Sequence, residues 1–253
     1  MRLRMLQPLA VLICALAISA LPSYAVSKEF SEKYPLEAGG SFELQNVNGT
    51  IQVQGWDRDE VEVHAVKTAK NRESDLDRVS IEVNARPRSI SITTRYPQNE
   101  GVEVMVEYVI RVPHNSHVEH LGTVNGTLRV SGVSDVEELH TVNGGIEVYE
   151  AGGDLRAHTT NGNIHVELAS FRNATGALAE TTNGSVLLAV PADTQADLEA
   201  RCLNGNFLSE IPVSMEGGLK PREMHGRIGQ GGAPIRLRTV NGAIRLVALR
   251  STV

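Results

Sequence analysis

One short pattern recurs seven times along the chain: an Asn-Gly pair, usually preceded by Thr-x, and followed by alternating apolar residues. The intervals between the last six asparagines are 18, 18, 22, 21 and 37 residues, so one copy occupies about twenty residues and the last interval holds an insertion. A fixed repeat period decides the fold class before any single residue does. The seven pairs begin at Asn48, Asn125, Asn143, Asn161, Asn183, Asn204 and Asn241.

Side chains on both sides of each Asn-Gly pair alternate with a period of two. The position five after the asparagine is apolar in every copy except at Ser209. This alternation predicts two half-buried strands per copy, joined by a turn. Asn and Gly suit that turn because both tolerate positive φ. The position three after the asparagine is apolar in all copies: Ile51, Leu128, Ile146, Ile164, Val186, Phe207 and Ile244.

Two all-β architectures fit this pattern, a β-solenoid with coils turning at Asn-Gly and an antiparallel β-meander with Asn-Gly hairpins. The position two before the asparagine is threonine in five copies, with Asn46 and Cys202 as the departures. A meander gains nothing from repeating one threonine, whereas stacked coils place like residues about 4.8 Å apart, where they can form hydrogen-bonded ladders. We therefore expect a β-solenoid, with the β-meander as the alternative. The predicted turn and ladder residues are Asn48, Gly49, Asn125, Gly126, Asn143, Gly144, Asn161, Gly162, Asn183, Gly184, Asn204, Gly205, Asn241, Gly242, Thr123, Thr141, Thr159, Thr181 and Thr239.

The ends of the chain differ from the repeats. Residues 1–25 combine early arginines, an apolar run and a small-x-small ending, which predicts a cleaved signal peptide. Residues 26–253 are expected to form a single β-solenoid domain, with an irregular N-terminal β part (26–116) and regular repeats (117–253). Within these, residues 69–79 are predicted to hold one short helix, and the Gly-rich residues 215–238 a loop before the final coil.

Charge and cysteine content narrow the function classes. The chain has a formal net charge of −6, and residues 1–25 carry two arginines and no acid, so the mature chain is more acidic still. Such a chain has no basic excess to attract nucleic acid. No second long apolar run follows, which predicts no transmembrane segment in the mature chain and an exported protein, periplasmic or at the cell surface. Cys202 is the only cysteine outside residues 1–25, so no intrachain disulfide is expected.

Candidate chemistry is sparse. The acidic residues are dispersed along the chain, and no phosphate-binding glycine loop or nucleophile motif occurs, so no catalytic residue, cofactor-binding residue or cofactor is assigned. His140 and His158 are weak candidates for a metal site, because both stand three before the asparagine in successive copies and stacking would bring their imidazoles together. Two surface histidines without a fixed acidic or thiol partner do not define a site, so no metal is assigned.

The repeated T-V-N-G-x-I-x-V motif, the segment V-I-R-V-P (Val109–Pro113) and the Gly-rich ending Gly226–Leu246 resemble the bacterial putative adhesin family. The resemblance spans residues 42–246 and implies an exported domain of unknown function with a β-solenoid fold. It supplies no catalytic motif. The copy around Asn204 departs from the motif at Cys202 and Ser209, which predicts an irregular coil.

These features favour a non-enzymatic envelope protein whose rigid, flat faces bind or scaffold an extended ligand, an unknown envelope protein or polysaccharide. The outward residues expected to form those faces include Arg129, Glu147, Arg156, His158 and His165. One alternative is an enzyme that acts on envelope glycan from a β-helical scaffold. A second alternative is a periplasmic sensory or stress-response partner of a membrane signalling protein.

Overall fold

The computed structural model describes residues 26–70, 72–98, 101–152, 154–215 and 222–249; the predicted signal peptide lies outside this part of the chain. The described residues form one 3₁₀ helix, Glu73–Arg78, inside the segment predicted to hold a short helix. All other regular elements are strands. In chain order they are β1 (Val26–Pro35), β2 (Ser41–Gln45), β3 (Ile51–Trp56), β4 (Glu60–Ala69), β5 (Ser80–Arg86), β6 (Ser89–Arg95), β7 (Val104–Pro113), β8 (His117–Asn125), β9 (Leu128–Ser131), β10 (Asp135–Asn143), β11 (Ile146–Gly152), β12 (Leu155–Asn161), β13 (Ile164–Ser170), β14 (Ala177–Asn183), β15 (Val186–Val190), β16 (Ala196–Asn204), β17 (Phe207–Ser209), β18 (Ser214–Met215), β19 (Glu223–Ile228), β20 (Ala233–Asn241) and β21 (Ile244–Ala248).

The strands form two rows that meet at the Asn-Gly turns. Strands leading into an Asn-Gly turn, together with β6 at one end, make the leading face, in the order β6-β2-β8-β10-β12-β14-β20-β16, and every neighbouring pair is parallel. Strands after an Asn-Gly turn, together with β7 at the same end as β6, make the trailing face, in the order β7-β3-β9-β11-β13-β15-β21-β17, and these neighbours are also parallel. Like residues stand side by side, for example Thr141 with Thr159 and Asn143 with Asn161. Parallel pairing in register confirms the β-solenoid and excludes the meander, whose hairpin partners would be antiparallel.

The core lies between the two faces. Successive residues of a strand point to opposite sides, so every second residue points inward. In β10 and β11 the inward residues Leu139, Ile146 and Val148 are fully buried, while the residues between them reach solvent. The period of two seen in the sequence therefore separates the core from the two outer surfaces.

The coils do not stack in chain order at the C-terminal end. The seventh coil, which contains Asn241, lies between the fifth and the sixth, because β20 pairs with both β14 and β16, and β21 with both β15 and β17. The loop prediction for residues 215–238 is wrong in part. Strand β19 and the start of β20 fall within it, and β19 covers the outer edge of β16 in antiparallel pairing.

The N-terminal part adds antiparallel strands to the other end of the stack. On the trailing face β7 pairs with β4, and β4 with β1; on the leading face β6 pairs with β5. The 3₁₀ helix is fixed by Lys67, whose buried Nζ donates hydrogen bonds to the carbonyls of Leu76 (2.6 Å) and Val79 (2.8 Å). Loss of hydration at this site lowers the pKa of the Lys67 ammonium.

Candidate functional site

The seven turn asparagines form one continuous ladder along an edge of the solenoid. In every coil after the first, the asparagine Nδ2 donates to the Oδ1 of the asparagine in the preceding coil of the stack, over distances of 2.7–2.9 Å. The ladder follows the order of the stack, so Asn241 bridges Asn183 and Asn204. Backbone bonds run beside it, since the Gly N–H of one coil donates to the Asn carbonyl of the next, as from Gly144 to Asn161 at 3.0 Å.

The inward threonines hold the coils together through backbone acceptors. Thr141, Thr159 and Thr181 each donate a hydroxyl hydrogen bond of 2.9 Å to the glycine carbonyl of the preceding coil's turn. These threonines are at most 3% exposed. A buried carbonyl without a donor costs about 1–3 kcal/mol, which explains why a hydroxyl recurs at this position.

Glycine at the turn is required by close approach between coils. A Cβ built on Gly144 would lie 1.9 Å from the Gly126 carbonyl oxygen, and one built on Gly162 would lie 1.9 Å from that of Gly144. The expectation that the Asn-Gly pairs adopt positive φ is wrong for most turns. Among the seven glycines only Gly49 (φ 126°) and Gly242 (φ 157°) do so, and none of the asparagines does.

The two departures from threonine keep the same hydrogen-bonding function. Cys202 donates its thiol to the Gly242 carbonyl over 3.0 Å, and burial raises the pKa of that thiol. Asn46 donates from Nδ2 to the Val106 carbonyl over 2.8 Å. Each side chain therefore supplies a donor to the neighbouring coil, where a threonine would do so in the other copies.

A row of imidazoles lies on the leading face. His140 and His158 stand side by side, with their rings stacked at 5.9 Å between centroids and 22° between planes. Next to His140 the equivalent position is Gly122, and the His120 imidazole lies over it, since a Cβ there would be 2.8 Å from His120 Nε2. The row ends at Glu180, whose carboxylate is 3.6 Å from His158 Nδ1. We name His120, His140, His158 and Glu180 the histidine row.

Crowding in this row favours the neutral form of its central imidazole. Loss of hydration lowers the pKa of His140, and the neighbouring His158 and His120 lower it further, against a smaller opposite effect of Glu138. Among the described residues no group of three or more His, Cys, Asp or Glu side chains is arranged to hold a metal ion. The structure thus brings the two candidate histidines together without assembling a metal centre around them.

Beside the row, on the same face, His117 lies between two carboxylates. Its Nδ1 is 2.8 Å from Asp135 and its Nε2 is 3.3 Å from Glu137, and Glu137 also contacts Arg156 at 3.0 Å. These side chains lie on the outward surface of β8, β10 and β12 and are partly exposed. The arrangement is a network of ionisable side chains on the outward surface of the leading face.

The trailing face carries a shallow groove of about 310 Å³ near its C-terminal end. Leu187, Ala189 and Val247 contribute apolar side chains to the groove, and the charged side chains that line it include Glu167 and Arg245. Towards the other end the face becomes polar, with Arg129 bonded to Glu147 at 2.9 Å. Between these regions the Tyr149 and His165 rings meet edge to face at 5.2 Å.

Three features escaped the sequence reasoning. The imidazole of His120 joins the histidine row because Gly122 has no side chain in its way. The sequence indicates this space, since Gly122 occupies an outward position that is polar in the other copies. The trailing groove needs Val247 beside Ala189, and this pairing depends on the exchanged order of the coils. Trp56 is surrounded by cations, with the Arg58 guanidinium 4.9 Å from its ring centroid.

Taken with its ladders, the stack of about twenty-residue coils defines a β-solenoid repeat protein. The Toastrack DUF4097 family model matches residues 119–247, which are 129 of the 253 residues, and the chain belongs to that family. The family resemblance seen in the sequence is confirmed. No curated protein matches the chain. In the described part of the chain, no helix has the length and apolar character needed to cross a membrane.

Several solved structures are similar to this chain. A putative cell adhesion protein from Clostridium sporogenes ATCC 15579 shares 12% identity and a TM-score of 0.49, with 88% of this chain and 100% of that one covered. A putative adhesin from Bacteroides fragilis NCTC 9343 shares 12% identity and a TM-score of 0.39, covering 88% and 97%. A putative lipid binding protein from Parabacteroides distasonis ATCC 8503 shares 9% identity and a TM-score of 0.28, covering 88% and 97%.

Proposed function

We propose that this chain is a non-enzymatic, exported protein of the cell envelope that binds or scaffolds an extended ligand, a polysaccharide or another protein. One observation carries the proposal. The asparagine ladder and the threonine bonds hold seven coils in register, so outward side chains form straight rows at one-strand spacing. An extended ligand with its own repeat can meet many such side chains at once, and many weak contacts then sum to useful affinity.

Within this surface we assign the main contact to the groove on the trailing face. Its apolar side chains, including Leu187 and Val247, can be covered by a ligand, while the charges of Glu167 and Arg245 fix the ligand's position. Burial of exposed apolar area is the general source of binding free energy, at about 25 cal/mol per Å². The leading face is more highly charged, because its histidine row is flanked by Glu138 and Arg156 on neighbouring coils.

The experiment is capture of envelope components by the purified protein, compared with two matched variants. Leu187→Glu places a charge in the groove. Leu178→Glu places the same charge on the leading face of the same coil, where a half-buried outward leucine is also available. We expect Leu187→Glu to abolish capture and Leu178→Glu to retain it. Equal capture by both variants would contradict the assignment to the trailing groove.

The nature of the ligand is decided by treating the extract before capture. Protease digestion removes a protein ligand and leaves a polysaccharide, and glycan-degrading treatment does the reverse. A membrane signalling protein, the partner expected for a sensory role, would be found in the protease-sensitive fraction. Capture that survives both treatments would contradict both ligand classes.

Export is tested on the N-terminus. We propose cleavage after Ala25, which predicts that the protein recovered from the cell envelope begins at Val26. Mass spectrometry of the intact protein measures this directly. A protein that retains residues 1–25 in the cytoplasm would contradict the proposed location.

The enzyme alternative is tested at a pair of carboxylates that contact one histidine. Asp135 and Glu137 both contact His117 on the outward surface of the leading face. Glycosidases use two carboxyl groups about 5–9.5 Å apart on either side of the scissile bond. We expect the protein to release no products from envelope glycan; release that disappears in Asp135→Asn/Glu137→Gln would establish the alternative.

His140 and His158 stay weak candidates for a metal site, and the candidacy has a simple test. Imidazole nitrogen is a common ligand of zinc and copper, and the two rings are already adjacent. Metal analysis of the purified protein is compared with His140→Ala/His158→Ala. Equal metal content in the two proteins removes the site.

A further inference from the structure

The first strand of the described chain leaves a long sheet edge open. β1 pairs with β4 along all ten of its residues, and it has no second strand partner among the described residues. The other outermost strands are shorter: β5 has seven residues, β17 has three and β18 has two. An open edge presents unpaired N–H and C=O groups that can pair with another strand.

The side chains of β1 alternate between two surfaces with different composition. On the core side lie Val26, Lys28, Phe30, Glu32 and Tyr34, opposite inward residues of β4 such as Ala65 and Val63. Phe30 and Tyr34 pack partly against the core and remain half exposed. The opposite surface carries only polar residues and a terminal proline. Apolar side chains therefore stand every fourth residue along the open edge, with one charge between each pair.

This order of side chains is complementary to itself when read antiparallel. If Phe30 faces Phe30 of a second copy, then Lys28 faces Glu32 of that copy, and Val26 faces Tyr34. The two-fold axis repeats both pairs, so the core side holds two Lys-Glu pairs, two Val-Tyr pairs and one Phe-Phe pair. On the outer side Glu29 faces Ser31, and no like charges meet. Opposite-charge and aromatic pairs across strands stabilise sheets, and like charges destabilise them.

Neighbouring registers lack this match. With a two-fold axis perpendicular to the sheet, core-side residues of one β1 strand stay opposite core-side residues of the other. A shift by one residue would place core-side residues opposite outer-side residues, so the register of the two strands can shift only by two residues at a time. One such shift places Glu29 against Glu29 of the second copy and Lys28 against Phe30. The other places Phe30 against Glu32 and Lys28 against Tyr34. Only the register centred on Phe30 pairs charges with opposite charges and apolar side chains with apolar side chains.

We propose that β1 is a dimerisation edge that pairs antiparallel with β1 of a second copy, centred on Phe30. The pairing joins the two trailing faces into one continuous sheet related by a two-fold axis, which is the commonest symmetry of homodimers. The dimer goes beyond the proposed function. It contains two copies of every outward row of side chains, so one long ligand can be bound at two places. The interface is small, and small interfaces are weak and reversible.

Sedimentation velocity of the purified protein from about 1 to 200 µM tests the dimer, with an expected dissociation constant on the order of 10 µM. Glu32→Lys replaces both Lys-Glu pairs by Lys-Lys pairs and should weaken the dimer on the order of tenfold or more. Glu29→Lys is the matched control, because it makes the same change of charge on the same strand at a position that faces Ser31.

The decisive variant is the charge exchange Lys28→Glu/Glu32→Lys. It restores two opposite-charge pairs across the two-fold axis and should return the dissociation constant to near that of the natural chain. It also removes the exposed contact between Lys28 and Asp77, which contributes little to folding. A protein that stays monomeric at 200 µM, or a dimer that responds equally to Glu29→Lys and Glu32→Lys, would overturn the proposal.

A cysteine placed on the two-fold axis gives a second readout. In an antiparallel pair, opposite Cα atoms are about 4.5–5.5 Å apart, which lies within the range that a disulfide bridges. Phe30→Cys should therefore form a covalent dimer on mild oxidation, whereas Ser31→Cys, which faces Glu29, should not. Cys202 is only 7% exposed and contributes little background. Cross-linking of Ser31→Cys alone, or of neither variant, would contradict this register. If β1 pairs with a strand of another protein instead, the purified Phe30→Cys variant would form no covalent homodimer.

Discussion

Two adjacent glycines in one turn, Gly144 and Gly145, allow the effect of close contact between coils to be distinguished from the effect of backbone flexibility. A Cβ on Gly144 would lie 1.9 Å from the Gly126 carbonyl oxygen, whereas a Cβ on Gly145 would meet nothing nearer than the Asn163 carbonyl oxygen at 3.3 Å. Neither glycine has positive φ. The substitutions Gly144→Ala and Gly145→Ala therefore differ in steric cost. Both reduce the conformational entropy of the unfolded chain by about the same amount, which stabilises the folded state by about 0.4–1 kcal/mol where the native conformation is not strained.

The size of the effect follows from the movement that alanine demands. Real Cβ atoms essentially never come within 3.0 Å of such an oxygen, so the coils must separate by about 1.1 Å at Gly144. That movement would stretch the bond from Thr141 to the Gly126 carbonyl (2.9 Å) and the ladder bond from Asn143 to Asn125 (2.8 Å) beyond useful length. It would also stretch the bond from Gly126 N–H to the Asn143 carbonyl (3.1 Å). At about 1 kcal/mol for each lost bond, Gly144→Ala should cost about 2–4 kcal/mol.

Thermal unfolding followed by circular dichroism measures the difference. For a chain of this size 1 kcal/mol shifts Tm by about 2–4 °C, so Gly144→Ala should lower Tm by about 5–15 °C while Gly145→Ala stays within about 3 °C of the natural chain. Local opening is followed in parallel by hydrogen exchange at Gly126 and Gly144, because repeat proteins can unfold in parts. Equal Tm values for the two variants would refute the argument that contact between coils selects glycine at this turn.

Three further predictions concern single side chains. Thr159→Val removes the donor to the Gly144 carbonyl and should cost about 1–2 kcal/mol in urea unfolding, whereas Thr160→Val, exposed next to it, should stay within about 0.5 kcal/mol. The pKa of His140 is lower in the folded than in the unfolded chain, so protonation favours unfolding. Its stabilisation, present above about pH 6.5, should be lost as pH falls through the folded pKa, and His140→Gln should flatten that pH dependence. The Cys202 thiol, whose pKa is raised by burial, should react with a thiol reagent much more slowly in the native protein than in urea, and a Cys202→Ser variant sets the background.

The regular coils could be predicted because their pattern is local. Alternation around each Asn-Gly pair fixes which residues face the core, as at Ile146 and Val148, and the repeated threonine favours stacking in register over hairpins. The order of the coils could not be predicted, because every slot in the stack offers the same row of Asn, Thr and Gly to its neighbour. The coil that contains Asn241 and the coil that contains Asn204 both offer an asparagine to the coil of Asn183. The path of the residues that connect these coils decides which of the two becomes its neighbour.

The faces were less predictable than the core, because outward positions are not held to one residue type by packing. His140 and His158 could be placed in one row from spacing alone, but the third imidazole depends on how the His120 side chain bends over Gly122. Likewise, Leu187 and Val247 lie 60 residues apart in sequence, and they share a groove only because β15 and β21 are neighbours. Surface features that combine different coils require the stacking order first.

The exceptions to the repeat carry information about that order. Five inward threonines belong to coils with an Asn-Gly coil on both sides, and the two departures, Asn46 and Cys202, belong to the first and last Asn-Gly coils of the stack. Asn46 must reach the Val106 carbonyl of a neighbour that lacks the Asn-Gly turn, and its longer amide does so. At the other end β17 has no strand beyond it on the trailing face among the described residues, so Ser209 can be polar without a core partner. The coil that the sequence predicts to be irregular is thus the outermost one in space, although it is the sixth of seven in the chain. Departures from the consensus therefore mark the two ends of the ladder, and they leave undetermined the order of the five threonine coils between those ends.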